Sequence, residues 1–456
     1  MVRSTLLIVA LVGCSETPEN KETPPGDAMP EVVDTATASC PPPTGAPVEH
    51  SGNIVANETW GAGIHLIKFT VGVRKNATLT LDSCAVVRVM PNYGIAVGTP
   101  TVGDGGTLTT KGTADRPVVI ERANATTAWA DVLVSGKGRV DLSYTKLIGG
   151  GGAGSRGGAL LHIVGDQNLP LQALAKVNHV TLEGAAKFGV VTEGHGGFDP
   201  ASDDLVVRGS TLLPMMMTAP ALGTIPVGTY TGNTTDAIRI SGTQAGEILD
   251  QDVAIHDRGV PYLVGGEGRF GELSVVGVAG TVPTLTIDPG VTLKFIKAGG
   301  LFIERASGTL PAKGALIVNG TADKPVVFTS AEPTPAPGDW RGMWFGGVPS
   351  AKNKVDHARI EFAGGATGTQ SASCGTPLRT DSNVNEAAIL IMGPPANAFV
   401  TNTTIVKSKA NGIERAWRGA ATSFLPTNTF TDVAYCFETF PKDDLGACPT
   451  PAPCPR

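Results

Sequence analysis

Thr113-Ala114-Asp115-Arg116-Pro117-Val118-Val119 returns as Thr321-Ala322-Asp323-Lys324-Pro325-Val326-Val327, an offset of 208 residues. Working outward, Thr78-Leu79-Thr80-Leu81-Asp82 returns as Thr284-Leu285-Thr286-Ile287-Asp288 at an offset of 206. Trp129 answers to Trp340 at 211, and the stretch 141–150 answers to 356–365 at 215. An offset that creeps upward marks a duplicated unit with small loop insertions, and self-similarity over this distance signals a repeat architecture.

Within each copy the chain runs in short apolar stretches, such as Ala85-Val86-Val87-Arg88-Val89 and Pro325-Val326-Val327-Phe328-Thr329, broken by Gly, Asn and Asp. Helical periodicity is hard to find, and several stretches begin after Pro, where a fixed φ and a missing N–H suit a strand start. Residues 285–328 hold four such stretches with no helix between them, which excludes a doubly wound α/β sheet. The chain has 59 Gly and 34 Pro but only 5% aromatic residues, so turns are many and the core is built from small aliphatic side chains. Charged residues are 17% and the net charge is −6, which is unlike the basic footprint of a nucleic-acid binder.

Residues 283–295 read Pro-Thr-Leu-Thr-Ile-Asp-Pro-Gly-Val-Thr-Leu-Lys-Phe, and 314–330 read Gly-Ala-Leu-Ile-Val-Asn-Gly-Thr-Ala-Asp-Lys-Pro-Val-Val-Phe-Thr-Ser. With Gly-Asp-Trp-Arg-Gly-Met-Trp-Phe at 338–345, this order resembles bacterial secreted right-handed parallel β-helix proteins with a pectin-lyase-like fold. The first copy fits with Cys84 in place of Gly290 and Ala130-Asp131 near Arg341-Gly342. The resemblance implies an all-β solenoid whose two tandem halves form one rod, in a secreted or cell-surface setting. Turns of about 20 to 25 residues predict roughly a dozen rungs and a length near 60 Å. Inward Val, Ile, Leu and Ala stack from rung to rung, and Val327 is read as one of them. Open strand edges at the rod's ends need covering. The residues around Cys40 and from Val48 to Phe69 are expected to cap one end, and those from Cys436 to Cys454 the other.

The N-terminus carries an address. Arg3 precedes the apolar run Leu6 to Val12, which is too short to span a bilayer and reads as a signal-peptide core. Leu11-Val12-Gly13-Cys14 resembles the lipobox of bacterial lipoproteins. That resemblance implies cleavage before Cys14, diacylation of its thiol and acylation of its amine. Three chains exceed the two signals a stable anchor needs. Ser15 in place of Asp implies passage to the outer membrane. The expected organisation is a signal peptide at 1–13, then the lipidated Cys14 and a disordered Pro/Thr/Glu-rich tether at 14–47. The β-helix halves follow at 48–249 and 250–440, and a Cys/Pro-rich tail at 441–456.

Six cysteines remain, Cys40, Cys84, Cys374, Cys436, Cys448 and Cys454, and an even number in an exported chain points to disulfides. Cys84 stands where Gly290 makes a turn, on what reads as an exposed corner, and Cys40 is the cysteine just upstream, so Cys40–Cys84 is expected to pin the tether to the rod. Cys448–Cys454 would then close a tail loop and leave Cys374–Cys436.

Catalytic signals are thin. Gly194-His195-Gly196, Asp203-Asp204, Asn233-Thr234-Thr235-Asp236 and Arg239-Ile240 echo polygalacturonase motifs, but in the wrong order, and Ser241 stands where Lys is wanted. Hydrolysis needs two carboxylates flanking one glycosidic bond. Asp203 follows His195 by only eight residues, which gives no reason for His195, Asp203, Asp204 and Asp236 to share a groove. Asp250, Asp252, His256, Asp257 and Arg258 resemble the Ca²⁺ and base set of a pectate lyase, with Asp250 and Asp252 on one strand face. A charged loop joining the two copies explains them more simply, and no metal or other cofactor is implied. Trp60, Trp129, Trp340, Trp344 and Trp417 raise sugar stacking, although the matched Trp129 and Trp340 point to repeated packing. Asn53, Asn402 and Asn428 suit turns or inward amide stacks.

Three readings follow. The first is a lipid-anchored surface β-helix with a structural, adhesive or envelope-interaction role and no reaction, whose partners are the membrane, surface polysaccharide or an envelope protein. The second is a polysaccharide lyase or hydrolase. The third is a non-catalytic glycan-binding module. In a bacterial host, Cys14→Ala is expected to abolish incorporation of labelled fatty acid and to release the protein from the membrane fraction. Equal labelling of both proteins would refute the anchor.

Overall fold

The computed structural model describes residues 39–99, 104–240, 247–266, 271–277, 280–304, 311–368, 373–374 and 386–456. Cys14 and the tether up to residue 38 lie outside the described residues. Residues 39–456 form one compact unit that holds both copies of the repeat.

The fold is a right-handed parallel β-helix. The only helical element among the described residues is a 3₁₀ turn, Ala219–Thr224, and every pairing between strands is parallel. Each turn of the coil contributes up to three strands, and strands at the same place on successive turns pair into three ladders. In the first copy one ladder runs through Thr78–Asp82, Gly106–Lys111 and the start of Gly138–Ile148. A second runs through Ala85–Val89, Val118–Arg122 and the end of Gly138–Ile148. The third comprises Ile95–Val97, Val132–Ser135, Ala159–Val164, Phe188–Glu193, Leu213–Met217 and Ile238–Ile240.

Turn length is less regular than the composition implies. Gly63 pairs with Ala85, so one turn takes 22 residues there, whereas Arg359 pairs with Thr404 and that turn takes 45. The strands keep their register because all the variation is placed in loops, which stay outside the ladders and are entropically cheap to lengthen.

The core is a set of stacked columns. Val87, Ile120, Leu147, Leu182 and Val207 face one another on five successive turns, and all are fully buried. On the third ladder Leu161, Val190, Met215, Ile238, Tyr262, Leu293, Phe328 and Ile360 continue without interruption from one copy into the next. Burying each such side chain contributes roughly 1.5–3 kcal/mol, so length alone makes the stack strong.

That continuity has a geometric consequence. The strand Val118–Arg122 of the first copy corresponds by sequence to Val326–Ser330 of the second. Val118–Arg122 lies on the second ladder, yet Val326–Ser330 continues the third, through Tyr262–Val264 and Thr292–Phe295. The second copy is therefore turned by one face about the axis of the coil.

Corners repeat chemically as well. Cys84 adopts φ +66° and Gly290, its counterpart, φ +87°, the left-handed region in which a turn normally wants Gly. Cys84 is not exposed, however: it is covered by its disulfide to Cys40, the expected pair. Trp129 and Trp340 are fully buried and donate their indole N–H to equivalent carbonyls, Ile148 at 2.8 Å and Glu361 at 2.7 Å. Trp60 and Trp417 are buried too, so four of the five tryptophans pack inside, and only Trp344 is half-buried. Asn428 accepts from the Thr403 N–H and donates to the Val400 and Phe424 carbonyls, sealing a corner between turns, and Asn402 bonds Asp356 at another corner.

Two expectations about the ends change. Val48–Ile54 pairs in parallel with Gly63–Val73, so these residues are the first turn rather than a separate cap. At the other end the disulfides are Cys374–Cys448 and Cys436–Cys454, not Cys448–Cys454 and Cys374–Cys436. The last residues fold back: Phe437 donates to the Pro455 carbonyl at 2.7 Å, and Arg456 reaches Ala434 at 2.7 Å, which sets Cys454 beside Cys436. Cys374, held by its N–H on the Phe440 carbonyl, is left for Cys448. Beneath this tail Arg415 and Glu438 form a buried ion pair at 3.2 Å, and Glu438 also accepts from the Phe424 N–H at 2.9 Å.

Val327 faces outward. Its neighbours Val326 and Phe328 are fully buried while Val327 is half-buried beside Arg359, because the side-chain period of a strand is two and Pro325 begins the count. Val326→Asp would bury an unpaired charge and is expected to cost more than about 4 kcal/mol in urea unfolding, whereas Val327→Asp, next to Arg359, should stay within about 1 kcal/mol. Equal costs would contradict the assigned facing.

Candidate functional site

The parity that sends every second residue inward sends the others out, and in-register stacking brings outward residues of adjacent turns together. On the second ladder and its neighbours this yields ion pairs between turns, such as Arg88–Glu121 at 3.0 Å and Arg208–Glu183 at 2.9 Å. These pairs lie at the surface, the first half-buried and the second more exposed, and are individually worth little.

The third ladder differs. Its outward face carries Asp131, His162 and Glu193 on three successive turns. Val132 pairs with Leu161 and Leu161 with Val190, so one turn is 29 residues here. The three residues are spaced by 31, one turn plus two positions along the strand, which keeps them on one face. His162 is fully buried, with Nδ1 3.7 Å from Asp131 Oδ2 and Nε2 3.2 Å from Glu193 Oε1. Asp131 is buried and the Glu193 side chain is half exposed. The neighbouring loop 149–158 has Gly at seven of its ten positions. The missing side chains let it lie close: Gly157 sits against Val191, the pairing partner of His162, and a Cβ on Gly154 would fall 2.1 Å from the Asn92 carbonyl oxygen.

Burial opposes charge on His162, but the carboxylates of Asp131 and Glu193 outweigh it and raise its pKa to about 9. At neutral pH the ring is an imidazolium with no lone pair to act as a base, and it is closed off from any polymer. Of the three, only Glu193 can be reached from outside. The spacing of 31 residues was the one sequence signal for this cluster, and it has meaning only once the turn length is known.

The four residues singled out by the polygalacturonase-like motifs do not converge with one another, although one of them meets the second acidic set. Asp203 accepts the N–H of Asp204 at 2.9 Å, and Asp204, at φ +48°, bonds His179 Nδ1 at 2.5 Å on the flank of the second ladder. Asp236 accepts the N–H groups of Gly232 at 3.2 Å and Asn233 at 2.8 Å in the turn before Ile238–Ile240. His195 lies in the turn before Gly196–Phe198, with Nδ1 2.5 Å from the Leu169 carbonyl oxygen and Nε2 3.8 Å from Asp250.

The second acidic set is likewise dispersed. Asp250 and Asp252 fall between the strands Glu247–Leu249 and Val253–Ile255 rather than on one strand face. Asp252 accepts from the Thr284 N–H at 2.7 Å, and His256 bonds Asp288 at 2.6 Å. Asp257 accepts from the Gly259 N–H at 2.9 Å, and Arg258 donates to the Ile225 carbonyl at 2.6 Å. Among the described residues no group of three or more His, Cys, Asp or Glu is arranged to hold a metal ion, and no helix is long and apolar enough to cross a membrane.

A family model described as a pectate-lyase-like β-helix domain matches residues 273–376, the stretch that contains most of the second copy's motifs. Comparison with curated proteins and with solved structures gives no match.

Because the folded state holds the His162 proton more tightly than the unfolded chain, its stabilisation is fully present below about pH 6.5 and is lost as pH rises through about 9. Wild-type stability is expected to fall relative to His162→Gln by up to about 1.4 kcal/mol per pH unit across that window. Urea unfolding at a series of pH values checks this, and a difference that stays flat would refute the assigned charge.

Proposed function

We propose that this chain is a lipid-anchored, non-catalytic β-helix of a bacterial envelope, tethered through Cys14 and presenting its flanks to surface polysaccharide or an envelope protein. One observation carries the reading. His195, Asp203, Asp204 and Asp236, the residue types that sugar chemistry would need, each bond a local turn or an adjacent rung and do not meet around a common space. The tryptophan pattern agrees, since buried indoles hold the coil together instead of offering rings to a sugar. A parallel β-helix lends itself to such a role because outward groups recur at about 4.8 Å along each flank, a regular array for an extended partner. A pectate-lyase-like domain match names a fold that hosts several activities, so the site and not the fold decides.

Pectins, alginates and host-type uronic-acid polymers incubated with the purified protein should show no new reducing ends or unsaturated products, while a glycan array or envelope pull-down returns a ligand. His195→Ala and Asp204→Ala should leave that binding unchanged and alter stability by no more than about 0.5 kcal/mol. Cleavage of any such polymer that is abolished by His195→Ala, Asp204→Ala or Glu193→Gln, with folding intact, would transfer the reading to a polysaccharide lyase or hydrolase.

A further inference from the structure

The column of aliphatic side chains ends, at the N-terminal turn, in a different kind of layer. Inward positions on Val48–Ile54, Glu58–Trp60 and Gly63–Val73 are taken by His50, Trp60 and His65. Their partners on the ladders, Ile67, Leu81 and Val87, are fully buried. The three rings stack, His50 on Trp60 with centroids 3.8 Å apart and Trp60 on His65 at 5.3 Å.

The hydrogen bonds dictate where the protons sit. The Gly61 carbonyl can only accept, so the His65 Nε2 that lies 2.9 Å from it carries a hydrogen. Neutral His65 then has a bare Nδ1, which accepts from His50 Nε2–H at 3.0 Å. Glu58 Oε1 accepts from the Trp60 indole at 2.6 Å and stands 3.7 Å from His50 Nδ1. A first proton can settle on His50 Nδ1, facing Glu58. A second has only His65 Nδ1, and there it would set two N–H groups head to head at 3.0 Å.

His50 is the ring free to leave. Among the described residues its strand pairs only with Gly63–Val73, whereas His65 lies between two strands. No ionisable side chain occurs from 41 to 47, and the neighbouring Glu49 and Lys68 pair with each other at 2.8 Å. Burial and the adjacent His65 hold the His50 pKa below its ordinary value, with Glu58 opposing.

We propose that the first turn is an acid-sensitive flap: in mild acid the His50–His65 contact breaks and Val48–Ile54 leaves the ladder, baring the Trp60 end of the core. The Cys40–Cys84 disulfide, eight residues before Val48, keeps the released strand attached so that the change is reversible.

Hydrogen exchange of the purified protein, read by mass spectrometry as protection factors corrected for intrinsic rate, tests the flap at about pH 7.5 and about pH 5. A peptide within 48–54 should lose protection at least about ten-fold in acid, while one within 106–111 changes less than about two-fold. His50→Phe keeps a stacking ring without a titrating group and should abolish the loss. Glu58→Gln, which removes the carboxylate that accommodates the first proton, should move the opening to higher pH, and serves if His50→Phe does not fold. Retained protection of 48–54 in acid, an unchanged loss in His50→Phe, a loss that extends to 106–111, or no upward shift in Glu58→Gln would overturn the proposal.

Discussion

The interaction on which everything else rests is the vertical stacking of inward side chains in parallel register, above all the column from Leu161 through Ile238 and Leu293 to Ile360. A single turn of coil has almost no core of its own and cannot stand alone. Stacking supplies that core by placing like beside like at strand spacing, and it tolerates turns of 22 or 45 residues because loops lie outside it. The same register sets the outward chemistry, since whatever faces out on one turn is opposed by its counterpart on the next. Ion pairs such as Arg88–Glu121 are one consequence, and the Asp131–His162–Glu193 line is another.

A stacked column must stop, and the two stops use different physics. At the C-terminal end the tail folds over the buried Arg415–Glu438 pair and is stapled by Cys374–Cys448 and Cys436–Cys454. Burying an ion pair is tolerable there because the remaining polar atoms of Glu438 and Arg415 meet Phe424, Thr422 and Thr439. At the N-terminal end the terminal layer is aromatic and titratable, and one disulfide holds the chain that leads into it.

The duplication adds a constraint that bears on function. Since the second copy is turned by one face, residues at equivalent sequence positions do not project from the same side of the coil. A groove along one flank is therefore built from different strand types in the two halves. Independently of the duplication, His195 meets Asp250 at 3.8 Å across a pair of loops that no motif connects.

What the amino-acid sequence determined by itself was local and repetitive. The doubled Thr-Ala-Asp-x-Pro-Val-Val segments, the turn shared by Cys84 and Gly290, and the matched Trp129 and Trp340 specify short strands, left-handed corners and a repeated packing residue. These are set by sterics within a few residues or by direct repetition, so they can be read in one dimension. The tertiary structure alone decided the partners of Cys374 and Cys436, the burial of His162 between two carboxylates and the one-face turn of the second copy. Each depends on how many residues a turn consumes. Loop length is nearly free energetically, so composition does not reveal it, yet it decides which residues meet.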